Sequence, residues 1–167
     1  MSRRATVSLI CGFIGADKTT FARQLERRTG AVRITKDEWS IRLIGSDPTI
    51  PGYADWDRRI VDLSRDVAFG LAARGIDVIL DEGFWARAER DALRRRAADV
   101  GADAVVYYLA TPIATIRERV AARNANLSGD AFAIGPELLE GYLALWQPPG
   151  ADEEVILVRT GPEDAGS

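Results

Sequence analysis

Cys11-Gly12-Phe13-Ile14-Gly15-Ala16-Asp17-Lys18-Thr19-Thr20 is the stretch whose reading decides the fold. An apolar run precedes it, Ala5 to Cys11 (ATVSLIC), which reads as a buried strand. Lys18 to Arg28 follows and reads as a helix, with Phe21 and Leu25 four apart on one face. Strand, glycine-bearing turn and helix in that order place backbone N–H groups at a helix N-terminus, where they attract anions. Gly12, Lys18 and Thr19 match G-x-x-x-x-G-K-[ST] at the right spacing, the pattern of a loop that wraps phosphates. Asp17 stands where the pattern has its second glycine. An ordinary strand–turn–helix connection is the competing reading. Only two lysines occur among the 22 basic residues, Lys18 and Lys36, so a lysine at the required place carries weight.

The same alternation continues outward. Ala31 to Thr35 reads as a second strand and Asp37 to Leu43 as a helix. Gly45 to Tyr53 has two prolines and two glycines and reads as a loop. A long helix covers Asp55 to Arg74, ended by Gly75, and Asp77 to Leu80 is a third strand. Then come a helix at Arg87 to Asp99, a strand at Ala104 to Leu109, and a helix at Pro112 to Arg123 with proline just inside its start. Asn124 to Gly135 is polar, Pro136 to Trp146 is the last helix, and Glu154 to Val158 the fifth strand. Strands alternating with helices predict an α/β fold: a five-stranded parallel sheet covered by helices on both faces. Ligands in such folds sit at the carboxyl ends of the strands. The 167 residues suit a single domain, 1–167, with a tail from 160 expected to fray.

Composition narrows the chemistry. The absence of histidine excludes Ser-His-Asp hydrolysis and every His-ligated metal site. A lone cysteine, Cys11, excludes an intrachain disulfide and reads as a small core residue. A reducing cytoplasm is the expected setting, and no apolar run is long enough to span a membrane. The net charge of -3 promises no basic footprint for nucleic acid. Arg94-Arg95-Arg96 reads as solvated surface.

With these segments in view, the chain resembles the P-loop kinases and AAA-type ATP-binding domains that include polynucleotide kinase, zeta toxin and chloramphenicol phosphotransferase. The resemblance spans nearly the whole chain. Beside the phosphate loop it rests on Asp81-Glu82-Gly83-Phe84-Trp85 with Arg87 and Arg90, on Arg119 to Asn124, and on Phe132-Ala133-Ile134. It implies a P-loop NTPase fold with a small helical lid at about 117–135.

It also implies an ATP-dependent phosphotransferase. Gly12, Phe13, Ile14, Gly15, Ala16, Asp17, Lys18, Thr19 and Thr20 would hold ATP, with Lys18 on its β- and γ-phosphates and Thr19 and Asp81 on Mg²⁺. Asp37 would be the general base on the acceptor hydroxyl, and Arg119 and Arg123 would clamp the transferring phosphate. The expected acceptor is a small molecule such as an antibiotic, sugar or nucleoside. A 5′-hydroxyl polynucleotide is the less favoured one, and a non-catalytic domain acting through protein contacts is the competing class.

Each candidate has a plainer reading. Asp37 could serve only the helix start, where Thr35-x-x-Glu38 forms a capping-box pattern. Arg42 is a weaker candidate for the same pocket. Asp81 could be a solvated strand-end acid, and period-2 alternation points Glu82 away from it. Phe84 and Trp85 either wall the acceptor or simply pack, and Trp39 and Trp56 read as core or loop anchors. Asp17 adds bulk and charge beside a polyphosphate. It fits an inactivating change in a kinase scaffold, a natural domain that has lost ATP binding, or a surviving but weaker site.

Overall fold

The computed structural model describes residues 3–127 and 133–160. Elements follow in the order β1 (Thr6–Cys11), α1 (Lys18–Thr29), β2 (Val32–Ile34), α2 (Lys36–Ile44), α3 (Tyr53–Ala72) and β3 (Val78–Gly83). They continue with α4 (Arg87–Asp99), β4 (Asp103–Ala110), α5 (Ile113–Ala125), α6 (Pro136–Leu145) and β5 (Ile156–Arg159). The strands form one parallel sheet in the order β2-β3-β1-β4-β5. This is the α/β architecture the alternation predicts. Among the described residues no helix is long and apolar enough to cross a membrane.

The central strand shows why both faces are covered. Val7, Leu9 and Cys11 join a cluster with Ala68, Phe69 and Ala72 of α3 and Leu93 and Ala97 of α4. Ile10 joins a second cluster with Ala22 and Leu25 of α1 on the other face. A strand apolar on both sides has to be buried on both sides. A third cluster gathers Phe13, Ile116, Val120, Ile134 and Leu139, so the loop after β1 is packed against α5 and α6.

Several boundaries move. β3 runs on to Gly83 rather than stopping at Leu80, because its ladder to β1 continues through Ile10↔Asp81 and Cys11↔Gly83. Asp81 and Glu82 therefore sit inside the strand. α3 begins at Tyr53 and ends at Ala72, and β5 starts two residues late, at Ile156. The capping box does not form: the Thr35 hydroxyl accepts from Arg33, and Glu38 pairs with Arg33 at 3.1 Å. Phe132, residues 128–131 of the expected lid and the tail 161–167 lie outside the described residues.

Candidate functional site

The carboxyl ends of β1 and β3 define the site. Past Cys11 the chain turns tightly, Gly12 donating its N–H to Gly83 O at 3.0 Å. A Cβ on Gly12 would come within 3.2 Å of Ala16 Cβ and 3.3 Å of Leu109 Cβ and Lys18 Cγ. Glycine is thus required by close approach. Gly15 has φ of +78°, the left-handed region. Asp17, the N-cap of α1, lies there too, with φ 59° and ψ 33°, and its side chain caps no N–H of the first turn. Aspartate is among the few side chains that enter this region.

Inside the loop the Lys18 ammonium donates to Phe13 O at 2.9 Å. Burial lowers its pKa, against the opposing pull of Asp81 and Asp37. Thr19 donates its hydroxyl to Asp81 Oδ2 at 2.9 Å. Asp81 is 3% exposed, and burial raises its pKa despite the Thr19 hydrogen bond and the Lys18 charge. On the opposite face Glu82 pairs with Arg65 at 2.6 Å, as alternation requires.

Asp37 occupies the first turn of α2 with its side chain 69% exposed, 3.0 Å from the Lys36 ammonium. Lys36 also reaches Asp57 on α3 at 3.1 Å, and Ser40 donates to the same Asp57 oxygen. Burial works against the Lys36 charge, but the two carboxylates hold its pKa above the usual value. The charge of Asp37 acts on both Lys18 and Asp81, which places the three in one electrostatic neighbourhood. On α5, Arg119 donates to Gly15 O at 2.9 Å and pairs with Asp17 at 2.9 Å. Arg123, one turn on, is exposed and has no ion-pair partner among the described residues.

These groups suit a magnesium nucleotide. Loop N–H groups, an ammonium, a hydroxyl and an acid converge, and Mg²⁺ is commonly held by one or two protein groups plus phosphate oxygens. Among the described residues no group of three or more His, Cys, Asp or Glu side chains forms a protein-only metal cage.

A family model described as an AAA domain matches residues 7–149. The chain belongs to the AAA domain family. No curated protein matches its sequence. A candidate kinase from Chloroflexus aurantiacus superposes at TM-score 0.75 and 14% identity, over 97% of this chain and 92% of that one. A chain of the Pnkp1/Rnl/Hen1 RNA repair complex gives 0.69 at 20% identity, over 87% of this chain and 45% of that one. The Mycobacterium tuberculosis APS kinase CysC, in complex with AMPPNP and APS, gives 0.63 at 18% identity, over 93% and 88%. These likenesses establish a P-loop kinase fold.

Within this AAA-domain fold the aromatic candidates separate. Phe84 is 2% exposed in the core with φ of 49°, so it packs rather than walling an acceptor. Trp85 stacks on Phe13 at 4.9 Å. Trp39 packs on the core, whereas Trp56 is 52% exposed beside Arg59. Sequence reasoning missed the Lys36–Asp57 pair and the structural role of Arg90. Arg90 is fully buried, bonds Glu153 at 2.5 and 2.9 Å, and donates to Phe84 O, Trp85 O and Gln147 O. An arginine in an arginine-rich helix gives no sequence signal of burial.

Proposed function

We propose that this chain is an ATP-dependent phosphotransferase acting on a hydroxyl of a small molecule, an antibiotic, sugar or nucleoside, with nucleotide binding weakened by Asp17. The observation that carries the reading is the joined pair Thr19–Asp81 beside Lys18 at the strand ends. ATP would supply the phosphoryl group, and its Mg²⁺ would neutralise part of the phosphate charge. The loop N–H groups and Lys18 would bind the β- and γ-phosphates, and Thr19 with Asp81 would hold the cation. Asp37 accepts the proton of the acceptor hydroxyl, and its exposure leaves room for that acceptor. Arg119 and Arg123 face the charge that develops on transfer. In this reading the chain is a single domain with the end of α5 at its lid, working in the cytoplasm.

The RNA repair neighbour keeps a 5′-hydroxyl polynucleotide in play as acceptor. Asp17 keeps in play a non-catalytic domain. The test begins with calorimetry of ATP·Mg²⁺ and continues with ADP release in the presence of aminoglycoside, sugar, nucleoside and 5′-hydroxyl oligonucleotide. Saturable ATP binding, abolished by Lys18→Ala, is expected. Asp37→Asn should keep that binding and lower turnover by about 10²- to 10⁴-fold. Turnover on the oligonucleotide alone would move the acceptor to nucleic acid. A folded protein that binds no ATP would leave the non-catalytic reading in its place.

A further inference from the structure

Asp17 reads from sequence as a carboxylate thrust against a polyphosphate. Its geometry describes something else. The backbone at φ 59° lies in the left-handed region, which aspartate is among the few side chains to enter. The side chain is 59% exposed and turned to α5, where Oδ2 lies 2.9 Å from Arg119 Nη1. The same Arg119 nitrogen donates to Gly15 O at 2.9 Å. Gly15 lies close to α5, since a Cβ added there would be 3.7 Å from Arg119 Cβ and 3.9 Å from Val120 Cγ2. The carboxylate is thus paired in place. The guanidinium that the function above assigns to phosphate is already engaged by a residue of the loop itself.

We infer that Asp17 is a positioning residue that acts through Arg119: it sets nucleotide affinity by competing with phosphate for that guanidinium, not by repelling phosphate directly. The inference rests on the phosphotransferase reading. Two consequences separate it from a direct clash. Removing the charge at 17 helps only while Arg119 is present to be released. Removing Arg119 leaves Asp17 only its weaker pull on Lys18 as a route to the nucleotide.

The experiment is a double-mutant cycle on ATP·Mg²⁺ affinity by calorimetry, with folding of each protein checked by thermal unfolding. Asp17→Asn is the informative change, since asparagine also enters the left-handed region and differs little in size. It should tighten ATP binding by about fivefold, the scale of a partly exposed ion pair. In an Arg119→Gln background the same change should alter affinity by less than about twofold. Arg119→Lys, which keeps the charge, should restore a gain from Asp17→Asn, an outcome that loss of packing alone would not give. An equal or larger gain in the Arg119→Gln background overturns the inference and assigns Asp17 a direct repulsion. No gain in either background, with ATP still bound, overturns it as well. Absence of ATP binding by all the folded proteins instead overturns the phosphotransferase reading on which it rests.

Discussion

Asp81 and Glu153 are both buried carboxylates, 3% and 9% exposed, and their surroundings treat them oppositely. Asp81, on β3, has a neutral hydroxyl from Thr19 as its hydrogen-bond partner, while the nearby Lys18 ammonium bonds a backbone carbonyl. Burial wins there, and the pKa is raised. Glu153, just before β5, takes two bonds from Arg90 and one from Arg94. Hydrogen bonding from Arg90 wins there, and the pKa is lowered. One carboxylate is closed by the fold's own cation, and the other is left against a hydroxyl at the end of a phosphate loop. A buried acid without a matched cation is uncomfortable unless a charge arrives from outside. The contrast marks one as architecture and the other as a candidate for the site.

The strongest way to break this contrast is at the architectural pair. Arg90→Ala leaves Glu153 buried and alone but for Arg94, and removes a donor from three carbonyls. It should cost about 3–5 kcal/mol of folding stability, read from urea unfolding. A loss under about 1 kcal/mol would mean that the pair is dispensable. The next change has the opposite sign. Asp81→Asn removes an unmatched buried charge, so the nucleotide-free protein should gain about 1 kcal/mol in thermal unfolding while Mg²⁺-dependent ATP affinity falls. A nucleotide-free protein less stable than its parent would put Asp81 among the architectural acids.

The smallest expected effect is in the pH profile. Glu153 has a folded pKa below its ordinary value of 4.5, so its contribution to stability is present above that value. That contribution is lost as pH falls through the lower folded value. Urea midpoints between about pH 6 and 3 should therefore fall more gently for Glu153→Gln than for its parent. Parallel profiles would show that Arg90 does not set the ionisation of Glu153.

The sequence carried the fold because its signals are local. Apolar runs such as Val7 to Cys11 and Val78 to Leu80 alternate with helical stretches, and each reports its own element. The sequence pattern ends β3 at Leu80 because Asp81 and Glu82 are poor strand residues. Their place in the strand is fixed by β1 alongside and by Thr19 and Arg65 on its two faces. The capping pattern at Thr35 failed for a similar reason, a nearby Arg33 offering the hydroxyl another partner. Candidate site residues on the phosphate loop were legible from spacing. The Asp17–Arg119 contact was not, since it joins residues far apart in sequence and depends on how α5 packs. Arg90 was hidden among arginines whose burial only the packed corner of α4 and the approach to β5 decides.

Phe13 belongs to the phosphate loop, yet its ring lies 4.9 Å from Trp85 and 5.8 Å from Trp146. The chain therefore carries an optical reporter wired to its own anion cradle. A change in the loop's shape alters what two indoles sense, over a background from Trp39 on α2 and from Trp56, half in solvent on α3. Intrinsic fluorescence at those two rings registers the loop directly, with no label attached.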